Sequence, residues 1–185
     1  GPWEFDLRAA GDTVVVITPS DTNLPERPVS LFIFQRPDDS LQWSLNRRFE
    51  FPSSPVASPP SIATDGKHIA MVLPNPNQEE LVLLKRDGSD NWVEQDLAAE
   101  DFPRWSFPNN LTLKNGTLLI RDYFGLQILR ENENTWTIES EIRAQDYGGN
   151  LESSEIICDK LILSTNSLPD GFSIFPEVFP VDDVP

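Results

Sequence analysis

Residues 115–120, Asn115-Gly116-Thr117-Leu118-Leu119-Ile120, contain the pattern that decides the fold: a tight-turn pair followed directly by a continuous apolar run. Asn-Gly and Asp-Gly pairs favour two-residue β-hairpins because both central residues can adopt a positive φ. A continuous aliphatic run after such a turn is typical of a strand that is buried on both faces. These residues therefore predict a hairpin that leads into the buried strand of a β-sheet.

The same pattern occurs four times along the chain. The turns are Ala10-Gly11, Asp65-Gly66, Asn115-Gly116 and Cys158-Asp159. The apolar runs that follow them are Val14–Ile17, Ile69–Val72, Leu118–Ile120 and Leu161–Leu163. A third apolar strand is predicted in each segment, at Leu31–Phe34, Leu81–Leu84, Leu126–Leu129 and Phe172–Phe175. This repetition predicts four copies of one supersecondary unit.

In three of the four segments a polar turn leads to a tryptophan that opens a predicted fourth strand. The spacing to the next turn is nearly constant: 23 residues from Trp43 to Gly66, 24 from Trp92 to Gly116 and 23 from Trp136 to Asp159. A large ring at a fixed strand position favours a structural role in sealing adjacent sheets. The alternative is a sugar-binding pocket that is lined by these rings.

Four-stranded sheets repeated at this period predict an all-β fold, a β-propeller-like array of about four four-stranded blades within a single domain, residues 1–185. The blades are expected roughly at residues 3–51, 61–98, 111–142 and 155–185. A β-sandwich is the alternative architecture. Helix is nearly absent from this prediction, because Pro103 ends anything longer than one turn over Glu94–Asp101.

The two ends of the chain raise the question of whether the ring closes. The segment from Trp3 to Ala10 is expected to be the first strand of the first blade, because Trp3 lies only 8 residues before Gly11. The segment Pro176–Pro185 is a poor strand, so the fourth blade is expected to lack its outer strand. Either the chain is part of a larger propeller, or a second copy or a partner supplies the missing edge. An uncovered edge favours strand addition.

The run Gly11-Asp12-Thr13-Val14-Val15-Val16, followed by Ser30–Phe34 and a polar turn into Trp43, resembles the FG-GAP-like repeats of integrin-α-type propellers. The segments Arg86–Trp92 and Glu133–Thr137 resemble the same element. This resemblance implies a propeller fold. The calcium loop and the Gly-Ala-Pro mark of that family are absent, and its Phe-Gly mark occurs once, at Phe124-Gly125. Other propeller families with degenerate blades, including WD40-like ones, remain open.

The charge balance limits the class of partner. The chain has 185 residues and a net charge of −16, with 14 basic and 30 acidic residues. Such a surface repels phosphate backbones and anionic membranes, whereas a basic protein, a neutral glycan or divalent cations are compatible with it. The single cysteine excludes an internal disulfide and a cysteine-based metal cluster. No apolar stretch is long enough to span a bilayer.

No residue constellation indicates catalysis, so a non-enzymatic protein without a cofactor or a metal is predicted. His68 is the single histidine, and a surface or turn role is favoured over a catalytic one. Asp87, Asp90 and Asn91 could offer oxygens to Ca²⁺, as could Asp38 and Asp39, but turn formation is the favoured role.

Trp105 lies in a predicted inter-blade loop, where an aromatic ring is not required for packing of a sheet. We predict that it binds a partner together with Arg104 and Phe107. The predicted function is an interaction scaffold that binds a protein partner or self-associates through loops or an open blade edge. The alternative is a lectin-like glycan binder. A hydrolase whose catalytic residues lie outside this segment ranks last.

Overall fold

The chain folds into β-sheets. The computed structural model describes residues 5–18, 28–37, 40–52, 61–73, 80–97, 110–121, 125–143, 150–157, 160–166 and 177–180. These residues form sixteen strands in four sheets and contain no helix. The all-β prediction is therefore confirmed. The chain divides into two compact units, Gly1–Gln95 and Asp96–Pro185.

The first unit contains two four-stranded sheets in which each strand pairs antiparallel with the next one along the chain. Sheet 1 has the order β1-β2-β3-β4 and sheet 2 the order β5-β6-β7-β8. The strands of sheet 1 are β1 (Asp6–Ala10), β2 (Thr13–Thr18), β3 (Val29–Gln35) and β4 (Ser44–Phe51). Those of sheet 2 are β5 (Ser61–Thr64), β6 (His68–Leu73), β7 (Glu80–Arg86) and β8 (Trp92–Glu94).

The second unit contains sheet 3, whose order is β10-β11-β12-β13-β9. Its strands are β9 (Asp96–Leu97), β10 (Asn110–Lys114), β11 (Thr117–Arg121), β12 (Gly125–Asn132) and β13 (Thr135–Arg143). The short strand β9 pairs parallel with β13, through Asp96 with Thr135 and Leu97 with Trp136. The helical turn considered for Glu94–Asp101 is thus wrong at Asp96 and Leu97, because the backbone there pairs with a neighbouring strand.

Sheet 4 also belongs to the second unit and has the order β14-β15-β16. Its strands are β14 (Asn150–Ile157), β15 (Lys160–Asn166) and β16 (Glu177–Pro180). The third strand was expected at Phe172–Phe175, a segment outside the described residues. Glu177–Pro180, which its prolines marked as a poor strand, instead pairs antiparallel with β15. Proline lacks an N–H donor and is tolerated at strand ends and edges, and Pro180 is the last residue of β16.

The hairpins at the tight turns are present, with one change of position. Lys114 pairs with Thr117, and both Asn115 (φ 50°) and Gly116 (φ 73°) have a positive φ, as the sequence predicts. In sheets 1 and 2 the turn centres lie one residue later than predicted, at Gly11-Asp12 and Gly66-Lys67. The single positive φ in each is that of the glycine. In sheet 4 Ile157 pairs with Lys160, and Cys158-Asp159 lies outside the described residues.

The sheets repeat one another in detail as well as in strand order. In sheets 1, 2 and 3 the second residue after the predicted third strand donates its N–H to the carbonyl just before the second strand. These bonds run from Arg36 to Asp12, from Arg86 to Lys67 and from Glu131 to Gly116, over 2.8–2.9 Å. In sheets 1 and 3 a β-bulge interrupts the pairing of the third and fourth strands at the same register, between Ile33 and Phe34 and between Ile128 and Leu129. These shared features place Thr13, His68 and Thr117 at equivalent positions.

One apolar cluster joins the two sheets of the first unit. Sheet 1 contributes Val15, Ile17, Val29, Leu31 and Ile33; sheet 2 contributes Ile62, Ile69, Met71, Leu73, Val82, Leu84 and Trp92. Phe49 and Phe51 pack against the rim of this cluster, with ring centroids 6.3 Å apart. Successive side chains of a strand point to opposite faces of its sheet. The cluster residues of each sheet share one face, so one face of sheet 1 lies against one face of sheet 2.

The sheets also meet at a polar junction beside the cluster. The Thr13 hydroxyl shares its one proton between Asp12 Oδ1, at 3.0 Å, and the Gly66 carbonyl oxygen, at 3.2 Å. The Arg86 guanidinium donates from Nη1 to Asp12 Oδ2 at 2.8 Å and from Nε to Asp90 Oδ1 at 2.9 Å. With the Gln35 amide turned to present its oxygen, that oxygen lies 2.9 Å from Arg86 Nε, where it shares the single N–H with Asp90, and 3.3 Å from Arg86 Nη2. Arg86 therefore links the first hairpin of sheet 1 to the end of β7.

The carboxyl of Asp12 and the guanidinium of Arg86 stabilise each other's charged form. Burial alone would raise the pKa of Asp12, but hydrogen bonds from Arg86 and Thr13 and the charge of Arg86 outweigh it and lower that pKa. Burial would likewise lower the pKa of Arg86, but Asp12 and Asp90 raise it. Both groups are therefore ionised together in the folded state at neutral pH.

Gly66 at the junction is expected to resist substitution. It has φ +91°, and a Cβ there would lie 2.9 Å from the backbone oxygen of Ala10. Gly66→Ala should lower the free energy of unfolding by about 1–3 kcal/mol, through backbone strain and separation of the sheets. Gly88→Ala is the matched control, because a Cβ there meets nothing within 4 Å. Urea unfolding followed by tryptophan fluorescence measures both; equal midpoints for the two variants would contradict this packing.

The Arg86 pair predicts a pH-dependent part of the stability. Because the pKa of Asp12 is lowered on folding, its contribution is complete at neutral pH. It is lost in acid, as the pH falls below about 4 and then through the lowered pKa of the folded state. Arg86→Met should lower the free energy of unfolding by about 1–2 kcal/mol at neutral pH, and the difference from wild type should shrink in acid. Arg143→Met is the control, since its pair with Glu141 is well exposed; a difference that does not change with pH would contradict the role of Asp12.

Candidate functional site

Sheet 1 has a second apolar face, opposite the cluster, which we call the outer face. Cross-strand pairing and side-chain alternation place two rows on it, Ala9–Val14–Phe34–Leu45 and Leu7–Val16–Phe32–Arg48. Leu7 and Leu45 are 47% and 52% exposed, and the four side chains on β2 and β3 are partly buried. Contiguous exposed apolar side chains of this kind mark interaction surfaces.

Equivalent positions in the other sheets are covered. Val14 and Val16 of sheet 1 correspond by register to Ile69 and Met71 of sheet 2 and to Leu118 and Ile120 of sheet 3. All four of these counterparts are fully buried, whereas Val14 and Val16 are partly exposed. The prediction that every apolar run is buried on both faces therefore holds for β6 and is wrong for β2, which is buried on alternate residues.

Three arginines, one directly after β3 and two on the terminal strand β4, lie over aromatic rings. The guanidinium carbons of Arg36, Arg47 and Arg48 lie 5.3, 5.6 and 5.3 Å from the ring centres of Trp43, Phe49 and Phe32 respectively. Such distances are typical of cation–π contacts. Arg48 also pairs with Glu50. No carboxylate of the described residues forms an ion pair with Arg36 or Arg47.

β4 is the last strand of its sheet among the described residues, so its outward backbone groups pair with no other strand there. Its side chains are mostly exposed, and Asn46 is the additional residue at the bulge. Charges and bulges are devices that protect edge strands from indiscriminate pairing. The β4 edge, defined as Arg36 with residues 43–51, is therefore selective about which segment it can pair with.

His68 is buried and acts in the turn of sheet 2. Its Nδ1 lies 3.1 Å from Oδ2 and 3.2 Å from Oδ1 of Asp65. The same Oδ1 accepts the backbone N–H groups of Lys67 and His68. The Thr64 hydroxyl donates to the His68 carbonyl at 2.7 Å. A turn role was one of the two roles favoured from the sequence; the surface role is wrong, because the side chain is 3% exposed.

The three repeated tryptophans do not share one environment. Trp92 and Trp136 are buried, and both lie at the start of fourth strands, as predicted. Trp43 directly precedes β4 and is 42% exposed. Trp92 and Trp136 therefore have a structural role. Of the three rings, Trp43 alone is exposed enough to contact a sugar.

The acidic loop of sheet 2 is organised as a turn. Asp87 Oδ1 accepts the backbone N–H groups of Ser89 and Asn91 at 2.8 and 2.9 Å, and these bonds lower the pKa of Asp87. Asp90 is bound to Arg86 and has φ 62°. Within the described ranges, no group of three or more His, Cys, Asp or Glu side chains is placed to hold a metal ion. Asp38 and Asp39 lie outside those ranges.

The partner-binding residues predicted from the sequence, Trp105 with Arg104 and Phe107, lie outside the described residues. Sequence reasoning missed the outer face and the β4 edge. A signal was available, because Arg47-Arg48 is a basic pair in an acidic chain. In the described part of the chain, no helix is long and apolar enough to cross a bilayer. Comparison with protein-family models and with curated proteins found no match for this sequence.

Two equivalent positions test whether the outer face is open. Val16→Ser on the outer face should cost less than about 1 kcal/mol of unfolding free energy, because the side chain is already partly solvated. Met71→Ser, its counterpart in sheet 2, should cost about 3–5 kcal/mol, through a cavity and a buried hydroxyl. Chemical denaturation measures both variants, and equal losses would mean that the outer face is covered in solution.

Proposed function

We propose that this chain is a non-enzymatic interaction scaffold with β-propeller-like architecture, which binds a protein partner through the outer face of sheet 1. The single observation that carries this proposal is the exposure of that face. Its counterparts in sheets 2 and 3 are buried, so the first sheet has an apolar surface that fits another protein surface.

Three features support the propeller-like part of the proposal. Sheets 1 and 2 are four-stranded meanders, sheet 3 begins with one, and the meander order is typical of blades. The backbone bond after the third strand recurs in three sheets. Sheets 1 and 2 lie face to face through the apolar cluster. We propose that all four sheets are blades of one array, which resembles FG-GAP-like propellers.

The carbohydrate-binding alternative has weaker support. It depended on three recurring tryptophans, and Trp92 and Trp136 are buried at blade-sealing positions. An apolar face with half-exposed leucines suits a protein surface better than a sugar, which requires several convergent hydrogen-bonding groups. The scaffold is therefore the function that we propose.

The test uses charged substitutions on exposed residues that the fold tolerates. Leu7→Glu should abolish partner capture or self-association by the purified chain, measured by affinity capture and by light scattering after size exclusion. Val93→Glu is the matched control: Val93 is 50% exposed and lies on β8 of sheet 2. A wild-type chain that is strictly monomeric and captures no protein, or equal capture by both variants, would overturn the proposal.

A further inference from the structure

We propose that the β4 edge binds an acidic, extended segment of a partner protein, which adds to sheet 1 as a fifth strand. This inference rests on the proposed scaffold function and specifies the chemistry of the partner. The strand-adding mode requires an edge whose backbone groups are available, and β4 is the terminal strand of its sheet among the described residues.

The charge of the partner follows from Arg36 and Arg47. The chain has 30 acidic residues against 14 basic ones, so most basic side chains can find a carboxylate. The equivalent of Arg36 in sheet 2, Arg86, binds two of them, from Asp12 and Asp90. Arg36 and Arg47 lie instead over aromatic rings, and no carboxylate of the described residues pairs with either. A guanidinium that lies over a ring can still donate its N–H groups to a carboxylate.

The spacing and the alternation define the segment. Arg36 lies over Trp43. Trp43 precedes Arg47 by four residues, so their Cα atoms would be about 13 Å apart in a fully extended strand. Arg47 pairs with Ile33 on the face that also carries Phe49, whereas Leu45 pairs with Phe34 on the outer face. Arg36 and Trp43 are the equivalents of Arg86 and Trp92, so they continue the outer face beyond Leu45. An added strand would therefore present carboxylates to both faces, one towards Arg36 and one towards Arg47.

The same residues argue against a second copy of β4 as the occupant. Two β4 strands paired antiparallel would bring Arg47 and Arg48 of each copy towards those of the other, and like charges across a strand pair are destabilising. The bulge at Asn46 also interrupts the regular register that such self-pairing requires. An acidic strand avoids the repulsion between like charges.

The probe is a labelled nine-residue peptide, three repeats of Glu-Glu-Val with blocked ends, which presents glutamates on both faces of an extended strand. It is titrated with the whole chain and followed by fluorescence anisotropy. The wild-type chain should bind it, and the affinity should fall as salt rises, since exposed charges are screened. A peptide with glutamine in place of glutamate should bind at least tenfold more weakly, because glutamine keeps the shape and lacks the charge. Hydrogen exchange should slow in β4 on addition of the acidic peptide.

The double variant Arg36→Gln with Arg47→Gln should weaken binding at least tenfold. Arg130→Gln with Arg143→Gln is the control, because those arginines pair with Glu139 and Glu141 on β13 of sheet 3. Urea midpoints of both double variants check the fold. If the first variant is unstable, the glutamine peptide and the salt series on the wild-type chain decide instead.

Equal binding of the two peptides, equal binding by the two double variants, or no binding by wild type would each overturn the inference. The outcome is separable from that of the scaffold proposal. If the acidic peptide does not bind while Leu7→Glu still abolishes partner capture, the acidic-strand inference is wrong and the scaffold proposal is supported. If Leu7→Glu has no effect on capture while the peptide binds as expected, the outer face is not the binding surface and the role of the β4 edge is supported.

Discussion

The first unit depends on one constraint: each of its sheets is apolar on both faces, and a face is stabilised only when another surface covers it. Burial of apolar area contributes about 25 cal/mol per Å², so the cluster between sheets 1 and 2 is the main stabilising contact of this unit. Strand β6 satisfies the constraint fully, because all six of its residues are buried. Strand β2 satisfies the constraint on one face only. Its other face belongs to the outer face of sheet 1, which is partly exposed.

Polar contacts define how the covered faces meet. Thr13, Asp12 and Arg86 connect the hairpin of sheet 1 to sheet 2 beside the apolar cluster, and Gly66 permits the close approach. A network of this kind adds directionality that apolar burial lacks. It also distinguishes the two equivalent arginines, since Arg86 binds carboxylates of its own unit, whereas Arg36 lies over Trp43.

Several elements could be predicted from local sequence. Asn115-Gly116 determined its turn because both residues favour a positive φ. The positions of Trp92 and Trp136 at strand starts followed from their spacing. In contrast, the pairing of Asp96 and Leu97 with β13 depends on a strand about forty residues away, and Glu177–Pro180 forms a strand despite its proline. Local propensity carries no information about such partners.

By itself, the sequence determined the β class, the repeated hairpins and the apolar runs, because turn chemistry and hydrophobic periodicity act over a few residues. Only the tertiary structure decided which apolar faces are covered. Val16 and Met71 occupy equivalent strand positions in equally apolar runs, yet one is partly exposed and the other fully buried. The physical reason is that burial depends on what packs against a face, and sheet 2 packs against only one face of sheet 1.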